Sequence, residues 1–188
     1  MNSASPRQQE LLEAAYAYAL SNGLAGMSLR PLAAAIGSSP RVLLFLFGSK
    51  EGLIRALLAR AREDELSYLD SLRGQQHDSG LAAAGRDVWT WLAAPSHHAL
   101  LVLWTEGYAR SLLGEPGPWA EFAAETVSDW LDLLAARQPA SRRDTAAGQD
   151  ERTLLLAVLR GALLDLLATG DTARVTRAVE LHLSNLRE

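Results

Sequence analysis

Cysteine is absent from this 188-residue sequence, which excludes disulfides and thiolate metal sites. Lysine is nearly absent: Lys50 stands alone, and every other one of the 18 basic residues is an arginine. Aromatic residues make up only 6%, and β-branched residues are few beside alanine and leucine, which favours helices over sheet. No apolar run approaches the length of a membrane span, and no charged-then-apolar signal pattern opens the chain, so a cytoplasmic location is expected. There is no Gly-x-Ser-x-Gly, no phosphate-binding loop, no dinucleotide fingerprint and no His/Cys metal spacing. Enzymatic activity, a cofactor and a metal site are therefore not expected. What the chain does have is 48% apolar residues, enough for a substantial helical core.

Acidic residues are also missing from one place, the stretch from Ala14 to Lys50. Residues 1–60 carry six basic against three acidic side chains, a balance of +3, whereas the rest of the chain stands at −7 and the total at −4. Net acidity argues against nucleic acid as a partner, and the local excess of cations argues for it.

Helix punctuation organises that N-terminal stretch. Leu11, Leu12, Ala15, Tyr18 and Ala19 repeat at helical spacing, and Gly23 is a stop signal. Ser28 is placed to cap a short second helix that carries Pro31 in its first turn and ends at Gly37. Ser39 and Pro40 open a third helix, which Gly48 closes, and Ser49 opens a fourth. Short helices separated by a tight glycine-containing turn form a helix-turn-helix, in which the third helix is the one presented to the DNA major groove.

Beyond Leu53 the chain continues as helices. A polar loop is expected at residues 73–80, a turn at "GEPGP" (114–118) and a mobile linker at "RQPASRRDTAAGQD" (137–150). All five tryptophans lie between Trp89 and Trp130. Large aromatics with a few polar neighbours suit either a small-molecule pocket or an aromatic core. Glu106, set among apolar residues, is a ligand anchor if buried and unremarkable if exposed. His97 and His98 are adjacent, so they point about 100° apart on a helix and start a helix rather than share a metal. Of the last two helices, the first is apolar around most of its circumference and needs cover on several sides; a second copy of the chain supplies it as a four-helix bundle. The interface residues expected are Leu155, Leu159, Leu163, Leu166, Val179 and Leu183, with Gly161 and Ala162 allowing close approach.

The segment from Leu11 to Leu53 resembles the DNA-binding domain of the TetR family of transcriptional regulators. The marks are Leu12-Glu13-Ala14-Ala15, Gly23, Ser28, Leu32-Ala33, Gly37, Ser39, Phe47 and, above all, Ser49-Lys50-Glu51 followed by Leu53. The resemblance implies an all-α fold of about nine helices. A three-helix helix-turn-helix domain (1–50) would precede a larger ligand-binding and dimerisation domain (51–188). It also implies a homodimeric repressor, released from a palindromic double-stranded operator by a small effector. The DNA-binding candidates are Ser28, Arg30, Ser39, Pro40, Arg41, Val42, Phe45 and Lys50. Arg41 either reads guanine O6 and N7 or contacts a phosphate. The ligand-binding candidates are Trp89, Trp104, Glu106, Tyr108 and Trp130. The family usually carries Tyr-His just before the phenylalanine matched by Phe47, and here Phe45 and Leu46 stand there. Loss of that hydroxyl and imidazole leaves open a module of the same fold without specific DNA binding. Ala19, smaller than the family's usual Phe, implies a differently filled core.

Overall fold

A computed structural model describes residues 5–24, 26–73, 80–114 and 117–186. Ten α-helices occupy them, with no strand among the described residues: α1 (Pro6–Asn22), α2 (Leu29–Ala35), α3 (Pro40–Phe47), α4 (Lys50–Arg73), α5 (Leu81–Leu92), α6 (His98–Leu112), α7 (Phe122–Arg137), α8 (Ala140–Arg143), α9 (Ala146–Thr169) and α10 (Thr172–Ser184). A single 3-10 turn, Pro95–His97, leads into α6, so the two histidines do start a helix. The loop expected at 73–80 lies almost wholly outside the described residues, as does the middle of the 114–118 turn.

Two compact units emerge. Residues 1–65 and 99–123 form the first, and residues 66–98 and 124–188 the second. This division differs from a cut at residue 50, because α6 and much of α4 pack with α1–α3. Gly107 of α6 lies against Leu58 of α4, and Glu106 Oε2 accepts the backbone N–H of Leu24 at 2.8 Å. Contacts across 82 residues of sequence are invisible to a reading of local patterns. The core of this unit includes Leu11, Ala15, Tyr16, Ala19, Leu32, Leu43, Leu53 and Leu57. Ala19 is fully buried, so the small side chain is filled around rather than left on the surface.

In the second unit α5, α9 and α10 pack together. Gly85 of α5 permits the approach: a Cβ there would lie 2.5 Å from Leu183 Cδ2 and 3.2 Å from Leu155 Cδ1. Trp89 Nε1 donates to Thr176 Oγ1 at 3.0 Å, fixing α5 on α10. Arg137 is buried at 4% exposure and pairs with Asp87 at 2.8 Å.

The expected mobile linker is ordered. Residues 140–143 form α8, and α9 begins at Ala146, where Thr145 Oγ1 accepts the N–H of Gly148 at 3.0 Å. Gln138 is buried, donates to Gly148 O at 3.0 Å and accepts from Arg152 at 3.0 Å, while Arg142 pairs with Glu151. These polar side chains bond one another, and that is why a composition typical of linkers holds a fixed shape. Thr145→Ala is expected to lower stability by about 1 kcal/mol through loss of the cap, measured by urea unfolding.

Candidate nucleic-acid interface

α3 owes its geometry to its two ends. Ser39 has extended backbone, and its Oγ accepts the N–H of Val42 at 3.3 Å. Pro40 fills the first helical position, where no backbone donor is needed. Gly48 stops the helix at φ 78°, a left-handed conformation that glycine adopts without steric cost. Ser28 also occupies an N-cap position, at the start of α2. Its side chain makes no capping hydrogen bond, contrary to expectation, and it is exposed. α2 and α3 are bent 102° from each other, within the range of helix-turn-helix pairs.

Burial sorts the residues of α3 into two faces. Leu43 is fully buried and Phe47 half-buried, so these two carry the packing. Arg41, Val42, Leu44 and Phe45 are exposed, Phe45 at 85%. Leu46 is half-buried and its carbonyl accepts from Gln8 Nε2 of α1 at 3.0 Å. The two residues standing where Tyr-His is usual therefore do different things. Leu46 is tied toward α1, and Phe45 projects outward.

The helices before and after α3 each carry a cation near their start. Arg30 is exposed and Lys50 half-buried at the start of α4. Among the described residues, Arg30, Arg41 and Lys50 form no ion pair, whereas Arg7 pairs with Glu10, and Arg60 with Glu13 and Asp64. Lys50 thus does not engage the neighbouring Glu51 in a salt bridge. The Glu51 carboxyl is held below the usual carboxylate range by hydrogen bonding to its own backbone N–H and to Ser49, with Lys50 contributing least. Unpaired cations beside exposed helix N-termini suit phosphate groups.

The ligand candidates separate into different surroundings. Trp89 is a buried residue whose N–H is already held by Thr176. Glu106 is likewise committed: besides Leu24 N–H, it faces Arg110 at 3.5 Å. Trp104 stacks on Tyr108 at 4.8 Å and meets Phe122 edge-on at 6.4 Å, and its buried Nε1–H has no acceptor. In the second unit Trp91 stacks on Tyr68 at 4.7 Å, with His97 at 4.6 Å and the buried Trp130 at 6.3 Å. Tyr68 escaped notice in the sequence because it sits in a long helix among charged residues. Burial, helped by Asp87, pushes its hydroxyl pKa up, so it remains a donor to the Asp87 carbonyl at 2.7 Å.

The interface residues expected in α9 and α10 are mostly interior. Leu155, Leu159, Leu163, Val179 and Leu183 are all at 2% exposure or below and Leu166 is half-buried. The first five fill the subunit's own core, and Leu166 is only partly covered. The exposed stripe of α9 is Leu154, Ala157, Gly161, Leu164 and Ala168, at three- and four-residue spacing, with Ala178 and Leu181 exposed on α10. The apolar pattern allowed either face, and one residue of offset turns a helix by about 100°.

A short capped helix with one buried and one exposed face, bent against its predecessor, has the form of a helix-turn-helix. Residues 11–57 match the model of the bacterial regulatory proteins of the tetR family. The chain is 30% identical over 185 residues to the HTH-type transcriptional repressor Rv1474c of Mycobacterium tuberculosis, covering 96% of this chain and 93% of that one. It is 29% identical over 187 residues to the HTH-type transcriptional repressor AcnR of Corynebacterium diphtheriae, covering 97% and 93%. A solved TetR transcription regulator from Haloarcula marismortui superposes with a TM-score of 0.76 at 14% identity, over 95% of this chain and 94% of that one, a likeness of fold. The chain belongs to the TetR family and is a DNA-binding transcriptional regulator. No single helix among the described residues is long and apolar enough to cross a membrane.

Proposed function

We propose that this regulator represses transcription by binding a two-fold symmetric operator as a homodimer, and that a small effector releases it. The observation that carries the reading is the outward face of α3, where Arg41, Val42 and Phe45 are exposed, with Arg30 and Lys50 on the adjoining helices forming no ion pair among the described residues. Ser28, Ser39 and Lys50 take the phosphates and Arg41 a guanine. Both relatives described above are named repressors, which supports the sign of regulation.

The second copy docks on the exposed stripe of α9 and α10, where Leu154, Leu164 and Leu181 are 56%, 53% and 67% exposed. Gly161 lies mid-stripe with nothing within 4 Å of an added Cβ, leaving room for a neighbouring helix. An effector of aromatic or acceptor-bearing chemistry suits Trp104 and Tyr108, because the buried indole N–H lacks a partner. Glu106 then serves as a link rather than as a ligand anchor. It joins α6 to Leu24, just after α1, so a shift of α6 is passed to the end of α1 through a direct hydrogen bond. The ligand needs only to favour the arrangement that cannot bind DNA. Glu106→Ala is expected to lower stability by about 1–3 kcal/mol, since it orphans a backbone donor, and thermal unfolding measures it.

A reporter gene fused to the DNA flanking the protein's own gene tests repression. Expression should fall when the chain is supplied and recover with Arg41→Ala. Equal expression with and without the chain contradicts the proposal for that promoter.

A further inference from the structure

Phe45 is the most exposed large hydrophobic residue of the described chain, and nothing in the subunit covers it. It projects from the helix assigned to the major groove, on the same side as Arg41 four residues earlier and Val42 three residues earlier. A phenyl ring has no hydrogen-bond donor, so it cannot make the contact that a tyrosine hydroxyl makes to a phosphate. Leaving it in water gains nothing for the free protein. DNA offers one apolar group on the base edges of the major groove, the C5-methyl of thymine.

We infer that Phe45 reads a thymine methyl group and is a specificity-determining residue of this regulator, with Val42 beside it as the second apolar wall. The inference rests on the DNA-binding reading above and adds what α3 selects. The occupant follows from the surroundings: Arg41 is exposed on the same short helix, Arg30 and Lys50 stand on the helices before and after it, and none of the three forms an ion pair among the described residues, which suits a polyanion. Spacing sharpens it. Four residues of helix advance about 6 Å and a base step about 3.4 Å, so the thymine lies roughly two steps from a guanine read by Arg41. Replacing a phosphate contact by a methyl contact also alters the balance of binding. Sequence-independent attraction falls, while discrimination between thymine and the other bases rises.

The test uses the full-length protein. Binding sequences are first selected from a random duplex library. Each thymine of the selected site is then replaced in turn by deoxyuridine, which removes the methyl and keeps every hydrogen-bonding group. Affinities are read by fluorescence anisotropy for the wild type, Phe45→Ala and Arg41→Ala. The expected result is one position per half-site where deoxyuridine weakens the wild type about fourfold, and about fifteenfold with both half-sites replaced. Phe45→Ala should bind both operators alike, while Arg41→Ala should weaken overall binding and keep the preference for thymine. Circular dichroism confirms that the variants fold, as expected for a residue outside the core. Specific selection with no sensitivity to any deoxyuridine overturns the inference and leaves the DNA-binding reading standing. Failure to select any sequence overturns both.

Discussion

Leu155→Ala is expected to lower the unfolding free energy by about 2–5 kcal/mol, a large fraction of the stability of an ordinary domain. Leu155 is fully buried, and its Cδ1 lies within 3.2 Å of where a Gly85 Cβ would stand, so α5 closes directly over it. Removing the side chain leaves a cavity whose walls come from three packed helices and cannot all collapse inward. Urea unfolding followed by circular dichroism should show the midpoint fall with the slope unchanged. An interface leucine would behave otherwise, with loss of self-association and little loss of subunit stability. A fall of less than about 1 kcal/mol accompanied by a monomer in solution would place Leu155 on the surface and refute the packing described.

Leu164→Asp should have the opposite profile. Leu164 sits in the exposed stripe of α9, one turn beyond Gly161, and is 53% exposed. In the proposed dimer it would be buried twice over by symmetry. An uncompensated buried carboxylate costs about 3–5 kcal/mol, which is two to four orders of magnitude in the dimer dissociation constant. Multi-angle light scattering should therefore report a monomer at micromolar concentration, while circular dichroism still reports helix. Operator affinity should fall with it, since one head then holds only one half-site. A dimer that survives this substitution unchanged would remove the stripe from the account.

These two substitutions mark where the sequence was legible and where it was not. α3 could be read because its signals are local: Ser39 and Pro40 at one end and Gly48 at the other fix the helix, and Leu43 and Phe47, four apart, fix its inner side. The family could be read from motif marks lying within residues 11–57 for the same reason. α9 could not be oriented, because a helix apolar on nearly all sides carries no periodicity that distinguishes its own core from a partner. The offset from Leu154 to Leu155 separates surface from interior, and only packing against Gly85 decides it. The segment 137–150 misled through composition: Gln138, Arg142 and Arg152 are polar, yet their partners are Gly148, Glu151 and one another's neighbours. Trp89 carries a related lesson. Its aromatic ring suggested a ligand, and the Thr176 hydroxyl that satisfies it lies 87 residues away.

The exposed character of Phe45 and the tethering of Leu46 narrow what replaced the usual Tyr-His pair. Phe45 stands exposed for the groove contact proposed above, while Leu46 is half-buried and its backbone carbonyl accepts from Gln8 of α1.

Whether α3 reads operator DNA is decided by one titration. Fluorescence anisotropy of the DNA flanking the protein's own gene, at several salt concentrations, compares the wild type with Arg41→Ala. The account predicts saturable binding of two chains per site, resistant to nonspecific competitor and weakening steeply as salt rises. Arg41→Ala should bind about 5- to 150-fold more weakly, the worth of a bidentate contact to guanine. Weak binding that competitor abolishes, identical for both proteins, would contradict it.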